Sequence, residues 1–194
     1  MSKFDLTLEH LGAGTLGVIG AGRLGGTLIA GLLAVRFPTE RLLVAHGGSP
    51  GTRARLVAAG LSERIATVPA LLEASRVVLL LVRPQSLGGV GRLSLRPGTL
   101  VVSFLAGVPI ARLPLEGTSL DAARVIPSAP DTIERRMAIA GVYPGGHGVV
   151  EELLGALGIR VHALSSEDDL HAFTAAGVCL PIAFAYLRGR GTAP

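Results

Sequence analysis

Along residues 15–105, short runs of β-branched residues and leucine alternate with stretches whose apolar positions recur at helical spacing. A switch of period repeated in this way predicts strand–helix–strand units on one sheet. Strands are expected over 16–19, 41–45, 65–68, 77–82 and 100–104, and helices over 23–36, 52–59, 69–75 and 85–93. The strand segments are apolar at almost every position, the pattern of strands covered by helices on both faces, so the expected class is α/β with a mainly parallel sheet. Strands over 124–126, 137–142 and 159–163 and a helix over 148–157 extend the same sheet. Ser165-Ser166-Glu167-Asp168 opens a last apolar helix reaching residue 187, with a serine cap and acids in the first turn, where the helix dipole favours them. Residues 1–14 and 188–194 read as mobile ends.

Composition sharpens this picture in three places. The chain of 194 residues is 49% apolar, enough for a buried core and too much for disorder. A mean hydropathy of +0.55 raises the question of a membrane span, but the best stretch, 172–187, contains Pro181 and falls short of the roughly 20 strongly apolar residues a span needs. The net charge of +4 comes almost entirely from scattered arginines, Lys3 being the sole lysine, and aromatics make up only 4%. Neither a concentrated basic face nor stacking residues are present, so no nucleic-acid partner and no membrane partner are expected. The lone Cys179 excludes an internal disulfide, and with no secretory leader pattern in MSKFDLTLEH the expected compartment is the cytoplasm.

The candidate chemistry begins with glycine. Two stretches fit G-x-G-x-x-G: Gly12-Ala13-Gly14-Thr15-Leu16-Gly17 and Gly20-Ala21-Gly22-Arg23-Leu24-Gly25. In a working motif the first glycine makes a tight turn out of a strand, the second lets backbone approach a pyrophosphate, and the third lets helix pack on strand. Only the second stretch has a strand before it and a helix after it. Gly20, Gly22, Arg23, Leu24 and Gly25 are therefore the expected pyrophosphate site of a Rossmann-type dinucleotide-binding domain. At the end of the second strand an NAD enzyme usually carries an acid for the ribose 2′-hydroxyl. Here the chain reads Val44-Ala45-His46-Gly47-Gly48-Ser49, followed by Arg53, with no acid. His46, Ser49 and Arg53 can donate to a 2′-phosphate, which favours NADP(H) over NAD(H).

Five blocks carry a family resemblance. VIGAGRLGGTLIAGLL, LLLVRPQ, VVSFLAGV, RVIPSAP and DDLHAFTAAGVCLPIAFAYL follow one another in an order and spacing similar to the pyrroline-5-carboxylate reductase family, from about Thr15 to Leu187. The resemblance implies hydride transfer from NADPH to a cyclic imine, giving proline, with a small-molecule imine or amino-acid substrate. It places Val82, Arg83 and Pro84 and, after the fifth strand, Ala106 and Gly107 against the coenzyme. It divides the chain into an N-terminal extension (1–14), a dinucleotide-binding domain (15–164) and the first helix of a truncated helical dimerisation domain (165–194), which makes a homodimer through the C-terminal helix the expected assembly.

Departures cluster at the implied substrate end. The family's M-P-N-T-P reads Ile126-Pro127-Ser128-Ala129-Pro130, and its T-A-x-x-G-S-G-P reads Thr174-Ala175-Ala176-Gly177-Val178-Cys179-Leu180-Pro181. Ser128, Thr174 and Cys179 are the candidate catalytic positions on this alignment. Bulkier apolar groups in place of G-S-G narrow the space for a small carboxylate, so a catalytically weak NADP-binding paralogue with a regulatory or assembly role is the alternative reading. Phe173, Leu180, Ile182, Phe184 and Leu187 lie on a helix with no later chain to cover them; a partner, a longer natural chain and a degenerate paralogue all fit that feature. His171 is either an acid–base group or a solvated helix residue. The histidines and Cys179 show no ligand spacing, so no metal is expected.

Overall fold

The computed structural model describes the backbone of residues 9–117 and 121–179, with side chains over 10–117 and 121–177. Among the described residues, nine strands and six α-helices follow in the order β1 (Thr15–Ile19), α1 (Arg23–Ala34), β2 (Leu42–Ala45), α2 (Pro50–Ala58), α3 (Val68–Ala74), β3 (Ser75–Leu80), β4 (Leu93–Ser94), β5 (Leu100–Ser103), β6 (Leu115–Glu116), β7 (Asp121–Pro127), α4 (Pro130–Glu134), β8 (Ile139–Tyr143), α5 (Gly148–Ala156), β9 (Arg160–Ala163) and α6 (Glu167–Thr174). Seven strands form one sheet in the order β2-β1-β3-β5-β7-β8-β9, while β4 and β6 pair separately. Every pairing in the main sheet is parallel except β7 with β8, which is antiparallel.

The apolar runs become strands because both faces of the sheet are covered. Alternate side chains enter two clusters: Val18, Leu79 and Val102 pack with Leu28 and Leu32 of α1, Leu56 of α2 and Leu153 of α5 on one face. Val78, Leu80 and Val101 pack with Leu71 and Leu72 of α3 and with Leu93 and Leu113 on the other. Val18, Val78, Leu80, Val101 and Val102 have no exposed surface. Burying a side chain of this size is worth about 1.5–3 kcal/mol, so the double-sided apolar pattern is the main source of the sheet's stability.

Three expectations are corrected. No strand forms over 65–68; only Ile65 reaches the sheet, through an isolated parallel bridge to Val44. The reason is local. Thr67 caps α3, its hydroxyl oxygen accepting from Ala70 N at 3.4 Å, and Pro69 fits the first helical turn, so the helix captures Val68. Over 85–93 a 3-10 helix (Pro84–Gly89) replaces the expected α-helix, since Gly88 and Gly89 have poor α propensity. In place of a wholly mobile N-terminus, residues Glu9–Leu11 form one 3-10 turn with Leu11 buried. His10 fastens that turn to α5, its Nδ1 lying 2.5 Å from Glu152 Oε1. The short helix α4, started by Pro130 and an acid at Asp131, had no expected counterpart.

The last helix begins as expected: Ser166 Oγ accepts from Asp169 N at 3.0 Å, with Glu167, Asp168 and Asp169 in the first turn. Past Thr174 it widens into a π turn (Ala175–Cys179). Leu180, Pro181, Ile182, Phe184 and Leu187 lie outside the described residues. Among the described residues, no helix is long and apolar enough to cross a membrane, and no group of three or more His, Cys, Asp or Glu side chains is placed to hold a metal ion.

Candidate functional site

Four strands end in one row. Ala45 and Leu80 flank Ile19, Ser103 pairs with Leu80, and Arg124 pairs with Ser103. The segments that leave the carboxyl ends of β1, β2, β3 and β5 therefore emerge side by side, at the place where strand order reverses direction between β1 and β3. Open α/β sheets bind ligands at such a switch point.

The turn after β1 is built by three glycines with different jobs. Gly20 has φ +103, donates its N–H to Ala45 O at 2.8 Å, and sits so close to β3 that a Cβ would lie 2.7 Å from the Leu81 carbonyl carbon. At Gly25 a Cβ would lie 2.0 Å from Gly20 O, so this position fixes how near α1 approaches the turn. Gly22 is the opposite case. A Cβ there meets nothing within 4 Å, and as N-cap the residue offers no side chain to the helix. The first helical bond runs from Gly26 N to Gly22 O at 2.8 Å, so the N–H groups of Arg23, Leu24 and Gly25 have no acceptor within α1. Free donors at the positive end of a twelve-residue helix, with open space in front, suit a phosphate linker. The residues present thus fit the dinucleotide expected from the sequence.

Beside this turn lies the loop after β2. His46 Nδ1 accepts from Gly48 N at 3.1 Å, which assigns the ring proton to Nε2 and leaves that nitrogen as a donor. Ser49 precedes α2 without spending its hydroxyl on the cap, and both Ser49 and Arg53 are exposed. No carboxylate occurs between residues 42 and 55. On the other side, Leu81 N donates to Ile19 O at 2.8 Å and carries the chain to Val82, Arg83 and Pro84, with Arg83 exposed at the start of the 3-10 helix. After β5, Phe104 N donates to Leu80 O at 3.0 Å, and the following turn exposes Ala106 and Gly107. The structure therefore brings all the expected coenzyme positions to one edge.

The three candidate catalytic positions are placed differently. Ser128 Oγ lies 2.7 Å from Thr132 Oγ1 and accepts from Ile139 N at 3.2 Å, so its hydroxyl is engaged in the corner that joins β7, α4 and β8. Thr174 donates to Leu170 O at 2.7 Å, on a helix whose Leu170 and Phe173 crowd the space above Gly141 of β8. Cys179 ends the π turn, and its side chain lies outside the described residues. His171 is half exposed and lies 3.9 Å from Asp168.

Two further residues escape sequence reasoning. Arg124 is fully buried on β7 and donates to Glu167 Oε1 at 2.9 Å. The sequence shows Arg124 only as a strand start and Glu167 only as a first-turn acid; a lone arginine in an apolar strand was the available signal.

A strand, a glycine turn and a helix at the switch point of a seven-stranded sheet define a Rossmann-type α/β fold. The sequence agrees at several levels. Residues 15–107 match the family described as NADP oxidoreductase, coenzyme F420-dependent. The pyrroline-5-carboxylate reductase of Pseudomonas aeruginosa is 31% identical over 170 residues, covering 81% of this chain. The chain is similar to that reductase and spans 60% of its length. Among solved structures, the pyrroline-5-carboxylate reductase of Coxiella burnetii superposes with a TM-score of 0.76 at 20% identity, covering 92% of this chain and 68% of the other. The Plasmodium falciparum pyrroline carboxylate reductase with NADP bound gives 0.69 at 20% identity, covering 90% and 66%. At these identities the structural matches speak for the fold.

Proposed function

We propose that the chain is an NADP-dependent oxidoreductase of the pyrroline-5-carboxylate reductase type, reducing the C=N bond of a cyclic imine such as pyrroline-5-carboxylate. The observation that carries this reading is the corner at Gly20–Gly25, with its unpaired helix donors facing open space at Gly22. The 31% identical reductase and the NADP-bound neighbour support it. When bound, the coenzyme supplies the hydride. The chain's own residues bind and orient. Gly22, Arg23, Leu24 and Gly25 offer backbone N–H groups to the pyrophosphate, while His46 Nε2, the Ser49 hydroxyl and the Arg53 guanidinium receive a 2′-phosphate. Val82, Arg83, Pro84, Ala106 and Gly107 form the wall toward the nicotinamide end. Ser128 acts through the α4 corner it braces, and Thr174 and Cys179 lie on the helix facing the substrate end.

The domain division belongs to the same proposal: residues 15–164 hold the coenzyme, and the segment from 165 begins a helical region through which two copies pair. The apolar sequence of that segment supports pairing, and the single cysteine suits a reducing, cytoplasmic setting. Following NADPH oxidation with pyrroline-5-carboxylate, alongside calorimetric titration of NADPH and NADH, tests the proposal. The expected result is turnover together with tighter binding of NADPH. Binding without turnover on any cyclic imine would leave a coenzyme-binding paralogue instead, and no heat with either nucleotide would remove the coenzyme reading altogether.

A further inference from the structure

Arg124 has no exposed surface, and only its Nη1 has an acceptor among the described residues; Nε and Nη2 have none. Burying a guanidinium in this state is costly, and an apolar side chain of like size would pack β7 at lower cost. The residue therefore has work other than stability. Its acceptor identifies that work. Glu167 Oε1 takes 2.9 Å and 3.0 Å hydrogen bonds from Arg124 Nη1 and from the backbone N–H of Ile110 respectively. One carboxylate oxygen thus joins three segments: β7, which leads to Ser128; the loop after β5, which carries Ala106 and Gly107; and α6, which begins at Glu167 and ends at Thr174.

The start of that loop is held by the core, through the bond from Phe104 N to Leu80 O at 3.0 Å and the buried side chains of Phe104 and Leu105; the stretch from Ala106 is held less by its own backbone. Val108 N reaches Leu105 O at 3.4 Å and Leu105 N reaches Ser103 Oγ at 3.4 Å, both long, and the better bond from Arg112 N to Pro109 O at 3.0 Å lies beyond the turn. Charge-assisted bonds are shorter and about twice as strong as neutral ones. The geometry points to Glu167 and Arg124 as a positioning pair that sets the 104–110 loop against α6, and so fixes the nicotinamide wall relative to the substrate-side helix. Neither residue touches coenzyme or substrate in this assignment. The kinetic half of the inference rests on the function proposed above; the structural half does not.

Hydrogen exchange on the full chain, comparing wild type with Glu167→Gln and Glu167→Ala, tests the structural half. Peptides covering 105–112 in Glu167→Ala are expected to exchange about tenfold faster, as befits loss of a bond to a charged acceptor. Glu167→Gln should fall in between, and strand β1 should keep its protection. Should Glu167→Ala not fold, the double variant Arg124→Met with Glu167→Gln removes both charges together and retains the test. Equal protection at 105–112 in every folded variant overturns the clasp, as does a loss spread evenly over β1 and the loop. With an active enzyme, Glu167→Gln should lower kcat at least tenfold and leave the Kd for NADPH within twofold; a change in Kd alone would also overturn it. Absence of imine turnover in the wild type would sink the proposed function, and the exchange result would still decide the clasp.

Discussion

At Gly25 a methyl group would stand 2.0 Å from Gly20 O, whereas at Gly22 it would meet nothing. Two neighbouring glycines thus make opposite predictions. Gly25→Ala must push α1 away from the turn, a forced repacking that costs on the order of 1–3 kcal/mol and should appear as a lower midpoint in urea unfolding. Gly22→Val should unfold near the wild-type midpoint yet bind NADPH at least tenfold more weakly in calorimetry; wild-type affinity in that variant would contradict the cradle. Close by, replacing Arg53 with glutamate sets a like charge against a 2′-phosphate. A charged hydrogen bond is worth about 1.5–3 kcal/mol, so the Kd for NADPH should rise tenfold or more while that for NADH barely moves. The glycine corner is legible in the sequence because all its parts are local: Gly20 and Gly25 have a steric reason, and Gly22 leaves open space before the helix. The Arg124–Glu167 pair is not, because its partners are 43 residues apart and only the packing of α6 on the sheet unites them.

Element by element, legibility follows how many signals agree. The runs that became β1, β3 and β5 carry one unopposed message, unbroken apolarity, and they pair residue for residue from Leu16 opposite Val77 onward, after one irregularity at Thr15. The segment 65–68 carries two: β-branched residues argue for extension, while Thr67 with Pro69 argues for a helix start. The cap wins, since it satisfies the Ala70 N–H at the start of α3, whereas a strand outside β2 would have one neighbour alone. Thr67→Ala should therefore lower stability by about 1 kcal/mol, and a thermal melt would show a midpoint several degrees lower. A midpoint unchanged or raised would mean that the cap does not hold α3. The same logic explains the 3-10 segment after Pro84, where glycine dilutes a helical apolar pattern.

Across the whole molecule, the order of strands and the split of the core into two faces follow from right-handed crossovers between parallel strands, a rule that needs no particular residue. What the rule does not supply is the single antiparallel junction, β7 with β8, because a short connection through α4 has no period to read. Assembly belongs to this scale as well. Pairing through the segment from 165 predicts that light scattering returns about twice the 19.8 kDa chain mass, and that Phe184→Glu shifts the protein toward a monomer without abolishing the coenzyme's heat of binding. A monodisperse monomer in the unsubstituted chain would contradict it.

The reversal at β8 has one more outcome. β8 and β9 both run against the parallel strands, and β9 ends at Ala163, which faces Val142 and through it Val125, one residue from the row in which Ile19, Leu80 and Ser103 finish. Helix α6 starts from that row, meeting Arg124 through Glu167 and covering Gly141 with Leu170 and Phe173. The reversal thus sets the start of α6, and with it the Glu167 carboxylate, beside the ends of the parallel strands.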